Sequence, residues 1–262
     1  MSVRRFLSIA AALVATLALM GGALALAQTL VGGPGNDTLT GTDEPDGLWG
    51  EDGDDELTGA GANDYLEGGP GNDKLDAGTG DDFATAGTGD DELKMGSGMD
   101  VAYAGPGTDV LLGEDGGDVL LGQLGNDRVF GGPGADRAYG GTGDDYVDGG
   151  SGNDELYADT GTNTLVGGSG NDRISAVGGS VTTVEAGSGD DRISLSSGAD
   201  NVKPGGGEDR VATGAGDDTV DSVDGRRDVI KCGPGADTAR VDKIDKLKDC
   251  EKVSFGKPKR KR

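Results

Sequence analysis

From Asp37 an aspartate recurs every nine residues, through Asp46, Asp55, Asp64, Asp73, Asp82, Asp91, Asp100, Asp109, Asp118, Asp127, Asp136 and Asp145 to Asp154. Each closes a glycine-rich turn such as Gly32-Gly33-Pro34-Gly35-Asn36-Asp37 and is followed two residues later by an apolar side chain such as Leu39. One carboxylate, beside a turn in which glycines can aim backbone carbonyls inward, is a donor set for a hard cation; calcium takes six to eight oxygens at roughly 2.3–2.6 Å. Other chemistries find little support. The chain has no histidine, so Ser-His-Asp and Cys-His sites and His-ligated zinc are excluded. The carboxylate pairs Asp54-Asp55, Asp81-Asp82, Asp90-Asp91, Asp144-Asp145 and Asp217-Asp218 are of the residue type glycosidases use. They fall at one phase of the repeat, however, and so read as turn and cation residues; the chain is expected not to be an enzyme.

Counted from Gly32, sixteen nonapeptides reach Ser175; a ten-residue unit follows (176–185), then four nonapeptides (186–221), another ten-residue unit (222–231) and a last nonapeptide (232–240). Of the 21 nine-residue units, 20 carry Asp at the sixth position, adding Asp172, Asp191, Asp200, Asp209, Asp218 and Asp237 to the run above, and all 21 carry Leu, Ile, Val or Ala at the eighth. The units 32–40, 68–76, 140–148, 149–157 and 167–175 resemble the G-G-x-G-x-D-x-U-x nonapeptide of RTX, or hemolysin-type, calcium-binding proteins. The resemblance spans nearly all of the chain after residue 31. It implies an all-β fold, a right-handed parallel β-roll (a β-solenoid) with two nonapeptides per turn. Six-residue turns would lie at the edges, three-residue strands between them, and multiple Ca2+ ions in the turns.

Two units per turn send alternate units to opposite edges, with ions between units eighteen residues apart. Asp46, Asp64, Asp82, Asp100, Asp118, Asp136, Asp154 and Asp172 would form one column, and Asp37, Asp55, Asp73, Asp91, Asp109, Asp127 and Asp145 the other. Asp191, Asp200, Asp209, Asp218 and Asp237 would serve as metal ligands in the later units. Leu39, Leu57, Leu75, Leu93, Leu111, Val129 and Val147 are expected to stack inward beneath the second column. Asn163 replaces the aspartate of its unit, and 178–183 contains none. A gap is therefore expected in that column near Asn163 and Thr182, dividing a main roll (32–175) and an irregular unit (176–185) from a second block (186–231). Outward ninth positions would set Tyr103, Leu121, Tyr139 and Tyr157 one above another, about 4.8 Å apart. Such a surface ladder either braces the sheet from outside or docks a glycan or a second roll.

With 48 acidic and 23 basic residues the net charge is −25. Arg4 and Arg5, an apolar run to Met20 and the small-x-small sequence Ala25-Leu26-Ala27 read as a secretory signal peptide over 1–27; a retained membrane anchor is the alternative. Cleavage would remove two arginines and no acid, taking −25 to −27, and would leave a short lead (28–31) and no transmembrane segment. A chain so acidic repels nucleic acid. One buried aliphatic side chain per nonapeptide is worth ~1.5–3 kcal/mol, against about 1.5 kcal/mol to order each of nine residues. The metal-free chain is thus expected to be largely disordered, with calcium binding supplying the folding energy.

Cys232 and Cys250, the only cysteines, stand eighteen apart in a chain read as exported, and predict a disulfide. A redox-active pair is the competing reading, although the C-x-x-C spacing is absent. The disulfide would close a C-terminal cap over 232–253, since a solenoid must cover its last rung; a short helix is expected over 243–248. The tail 254–262, with Lys257-Pro258-Lys259-Arg260-Lys261-Arg262, reads as a solvated end or as a tether to anionic wall polymer or membrane. Together these readings describe a secreted, extracellular, calcium-stabilised structural or interaction protein without a catalytic domain, released or held at the cell surface. The rival reading is an adhesin-like module that recognises a glycan or protein partner, with calcium only structural.

Overall fold

The computed structural model describes residues 26–178 and 181–256. The expectations for a signal peptide and for the basic run 257–262 fall on residues outside these, apart from Leu26 and Ala27.

A turn and an extended segment in each unit yield, among the described residues, 26 strands and no helix. Odd-numbered strands, from β1 (Gln28–Val31) to β25 (Lys246–Lys248), form one 13-stranded sheet; even-numbered strands, from β2 (Thr38–Thr40) to β26 (Lys252–Phe255), form the other. Every pairing is parallel and links a strand to the one two further on. In β4 (Glu56–Gly61), β6 (Lys74–Thr79) and β8 (Glu92–Gly98), for example, Leu57 pairs with Leu75 and Leu75 with Leu93. This eighteen-residue register means two nonapeptides per turn, an all-β parallel solenoid of about 13 turns. Strands are longer than the expected three residues through most of the first half. Pairing there continues past position nine into the next turn, as in Gly69↔Gly87 and Pro70↔Thr88.

The strand period of two turns position eight inward and positions seven and nine outward. Leu57, Leu75, Leu93, Leu111, Val129 and Val147 are buried as expected, while Leu39 on an end rung is only partly covered. Leu48, Leu66, Ala84, Ala102, Leu120, Ala138 and Leu156 of the other sheet join the same core. Both sheets run unbroken past the irregular unit, where β16 (Asn163–Ser169) pairs with β18 (Thr182–Ser188).

Near the C-terminus the helix expected over 243–248 is not formed, and β25 occupies its place. The edge of β23 (Val229–Lys231) offers backbone groups that need partners, and β25 pairs with it so that Leu247 falls on Ile230. Cys232 and Cys250 are disulfide-bonded as predicted, with Cα atoms 5.2 Å apart.

Candidate metal centres

Consecutive rungs of turns lie in close contact. Gly53 N–H donates to the Pro70 carbonyl at 2.9 Å and Gly71 N–H to the Thr88 carbonyl at 2.8 Å. Gly71 has φ +153°, and a Cβ there would run into the Gly53 carbonyl one rung below. Only glycine permits that approach.

Each aspartate is anchored by one oxygen. Asp55 N–H donates to Asp73 Oδ1 at 2.8 Å and Asp73 N–H to Asp91 Oδ1 at 2.7 Å. Repeated, this makes two ladders. One runs from Asp46 through Asp64, Asp82, Asp100, Asp118, Asp136, Asp154, Asp172, Asp191 and Asp209. The other runs from Asp37 through Asp55, Asp73, Asp91, Asp109, Asp127 and Asp145 to Asn163, and resumes from Thr182 through Asp200 and Asp218 to Asp237.

The second oxygen is the chemically open one. In every candidate aspartate from Asp55 to Asp237, Oδ2 is buried and has no hydrogen-bond donor. In the turns of Asp55, Asp64, Asp73, Asp118, Asp127, Asp136, Asp145, Asp154 and Asp172 the first residue is a glycine, and Oδ2 approaches it too closely for a Cβ; the other turns carry a side chain there, such as Ala77, Met95 or Leu195. A Cβ at Gly113 would lie 2.5 Å from the Gly131 carbonyl oxygen and 2.6 Å from Asp118 Oδ2; one at Gly131 would lie 2.5 Å from Asp136 Oδ2 and 2.6 Å from the Gly149 carbonyl oxygen. At Gly113 and Gly131 a carboxylate oxygen of the same turn and a carbonyl oxygen eighteen residues on thus approach one point. Among the described residues, no three acidic, cysteine or histidine side chains converge on one point, so further donors would come from backbone. An all-oxygen set of one carboxylate plus carbonyls suits calcium rather than zinc.

Burial pushes the carboxyls of Asp64, Asp91, Asp100, Asp127, Asp136, Asp191 and Asp209 up to about 7. Those of Asp73, Asp82, Asp109, Asp154 and Asp200 rise to about 6. The ladder hydrogen bonds oppose the rise, and in most of them neighbouring carboxylates add to it. A buried, unpaired anion is costly, and a cation beside Oδ2 would remove that cost.

A family model described as RTX calcium-binding nonapeptide repeat (4 copies) matches residues 31–66, 58–93, 96–129, 121–156, 130–165, 157–180, 178–211, 185–220 and 205–229. The chain belongs to the RTX calcium-binding nonapeptide repeat family. Membership implies calcium as the cation and fits a structural role for the solenoid. A search of curated proteins gave no match.

Not every RTX rung leaves its carboxylate open. Asp37 Oδ2 accepts from Gly33 N–H at 2.6 Å, and Asp46 Oδ2 from the N–H and hydroxyl of Thr42 at 2.6 and 2.9 Å. Asn163 replaces the open oxygen with an amide, whose Nδ2 donates to the Asp159 and Gly161 carbonyls at 3.5 and 3.4 Å. Its own N–H turns to the Val181 carbonyl, so the ladder lapses before Thr182.

Three column members were not anticipated: Asp228 and Asp245 extend the first ladder, and Glu251 ends the second. Asp228 Oδ2 accepts from the Ser222 hydroxyl at 2.6 Å. All three sit in an acid-x-apolar-x sequence, Asp228-Val229-Ile230, Asp245-Lys246-Leu247 and Glu251-Lys252-Val253. That shorter signal would have found them, whereas the nine-residue count loses phase at the ten-residue unit.

The expected surface ladder is in register across β9 (Val101–Pro106), β11 (Val119–Leu124), β13 (Arg137–Thr142) and β15 (Glu155–Ala158), where Leu121 pairs with Tyr103 and Tyr139, and Tyr139 with Tyr157. The Tyr139 and Tyr157 rings stack at 4.8 Å, 11° from parallel. Trp49, Tyr65 and Phe83 prolong the row to Tyr103.

Proposed function

We propose that calcium bound at the turns is what folds this chain, and that the folded product is an extracellular, non-catalytic structural or interaction protein. The supporting observation is the series of buried, donorless Oδ2 atoms from Asp55 to Asp237. Calcium at these positions would accept one carboxylate oxygen per turn. It would also replace repulsion between carboxylates eighteen residues apart with a shared attraction, so that binding energy becomes folding energy. Asp37, Asp46 and Asp228 already have protein donors on Oδ2, and Asn163 carries none of the charge; these rungs need no ion to be satisfied. A leader over 1–27 would carry the chain to an oxidising compartment, where the Cys232–Cys250 bond would persist.

The tyrosine ladder supports the structural reading over an adhesive one. Face-to-face stacking of Tyr139 on Tyr157 turns ring edges outward, so the rings brace the sheet rather than offer a platform to a sugar. Equilibrium dialysis against calcium, with magnesium as control, tests the proposal. Several calcium ions bound per chain are expected; no more than one, or equal binding of magnesium, would overturn it.

A further inference from the structure

The two outer sheet faces handle charge differently over the C-terminal rungs; earlier on the odd-numbered sheet Arg137 pairs with Glu155 at 3.1 Å. On the even-numbered sheet, ion pairs run between rungs: Lys94 with Asp76 and Glu114, Lys203 with Glu185, and Arg240 with Asp221. On the odd-numbered sheet, β17 (Arg173–Ala176), β19 (Arg192–Leu195), β21 (Arg210–Ala212), β23 and β25 turn outward Arg173, Arg192, Arg210, Lys231, Lys246 and Lys248, with no acid among them. Arg173 pairs in register with Arg192, and Arg192 with Arg210; Lys231 pairs with Lys248. Glu155 holds Arg173 at 2.9 Å. Arg192, Arg210, Lys231 and Lys246 form no ion pair among the described residues. Like charges directly opposite one another weaken a sheet, and this row persists in a chain of net charge −25.

We propose that the row is a docking lane for an extended, carboxylate-bearing polysaccharide lying along the solenoid axis. Guanidinium groups match carboxylates bidentately. Their repeat of about 4.8 Å per rung is comparable with the advance of an extended pyranose chain. The lane is narrow: its strands have three or four residues, roughly 10 Å at about 3.3 Å per residue. Exposed Asp190 and Glu208 in one set of turns and Asp217 in the other flank it and repel a broad anionic surface such as a bilayer or a duplex. Single-stranded nucleic acid needs aromatic faces for its bases, whereas Ser175, Ser194 and Ala212 lie beside the arginines. Small side chains there leave room for a thin sugar backbone with its carboxylates over the arginines.

The lane requires the calcium-loaded roll proposed above but no particular number of ions. Its test is fluorescence anisotropy of a labelled oligogalacturonate with the calcium-loaded chain, a neutral dextran fragment serving as blank. Arg192→Ala with Arg210→Ala should weaken binding by about tenfold or more, while Lys203→Ala with Arg240→Ala, an equal charge loss on the other sheet, should change it by less than about twofold. Equal losses in the two variants, as calcium bridging between two polyanions would give, would overturn the lane. So would tighter binding of oligothymidylate or of anionic vesicles, or no binding at all. Circular dichroism of each variant separates the two proposals. An intact roll without arginine-dependent binding refutes the lane alone; a chain that forms no roll in calcium refutes both.

Discussion

Asp145 and Asn163 stand on neighbouring rungs of one column, and both are buried. Asp145 leaves Oδ2 without a donor, whereas the amide of Asn163 turns to two carbonyls of its own turn. The exchange of one oxygen for one NH2 group converts a rung that needs a cation into one that is complete without it. Ser222 does the same for Asp228 by another route, offering a hydroxyl proton to the oxygen that elsewhere stays open. The contrast shows where the cost of the metal-free fold lies: in carboxylates already buried before any ion pairs with them.

Acidity should erase the contrast and gives the largest expected effect. Asp64, Asp91, Asp100, Asp127 and Asp136 stand near 7 in the roll against an ordinary 3.8. Their folded values are raised, so the protonated form favours the roll. In chelator, β-structure should be most stable near pH 4 and decline as pH rises towards about 7. With calcium bound the same carboxylates are ionised in the roll as in the unfolded chain, so saturating calcium should flatten this decline. Circular dichroism at both ends of that window checks the sign.

Asp109→Asn makes an open rung resemble Asn163. In calcium it should reduce the number of bound ions and cost about 2–3 kcal/mol of stability, read by thermal or urea unfolding. The converse, Asn163→Asp, opens a satisfied rung: calcium dialysis should show at least one further ion, and chelator should unfold the variant more readily, by about 1–2 kcal/mol at pH 5. An unchanged ion count would mean that Thr182 and the irregular unit, rather than Asn163, decide that rung. Ser222→Ala is the mildest, costing about 1 kcal/mol by stranding Asp228 Oδ2.

Much of this was legible in the sequence because the repeat is its own template. The nine-residue phase of Asp55 to Asp172 and of Leu57 to Val147 fixed columns, core and register, since a period-two strand leaves position eight only one way to face. What escaped attention lay where that phase slips. Asp228 sits one residue late within the ten-residue unit 222–231, and Lys243–Lys248 lacks the glycines that mark a turn, so its charged run read as helix. The open strand edge beside it outweighed local propensity. Nor could spacing reveal that Thr42 and Ser222 donate to the carboxylates near them, because each contact depends on one side-chain rotamer.

The most direct measurement is far-ultraviolet circular dichroism of the chain at neutral pH through a calcium titration, with magnesium in parallel. A cooperative coil-to-β transition with calcium and none with magnesium is the predicted result. A chain fully β-structured in chelator and unaltered by calcium would contradict the account, because the open carboxylates would then be tolerated without the ion.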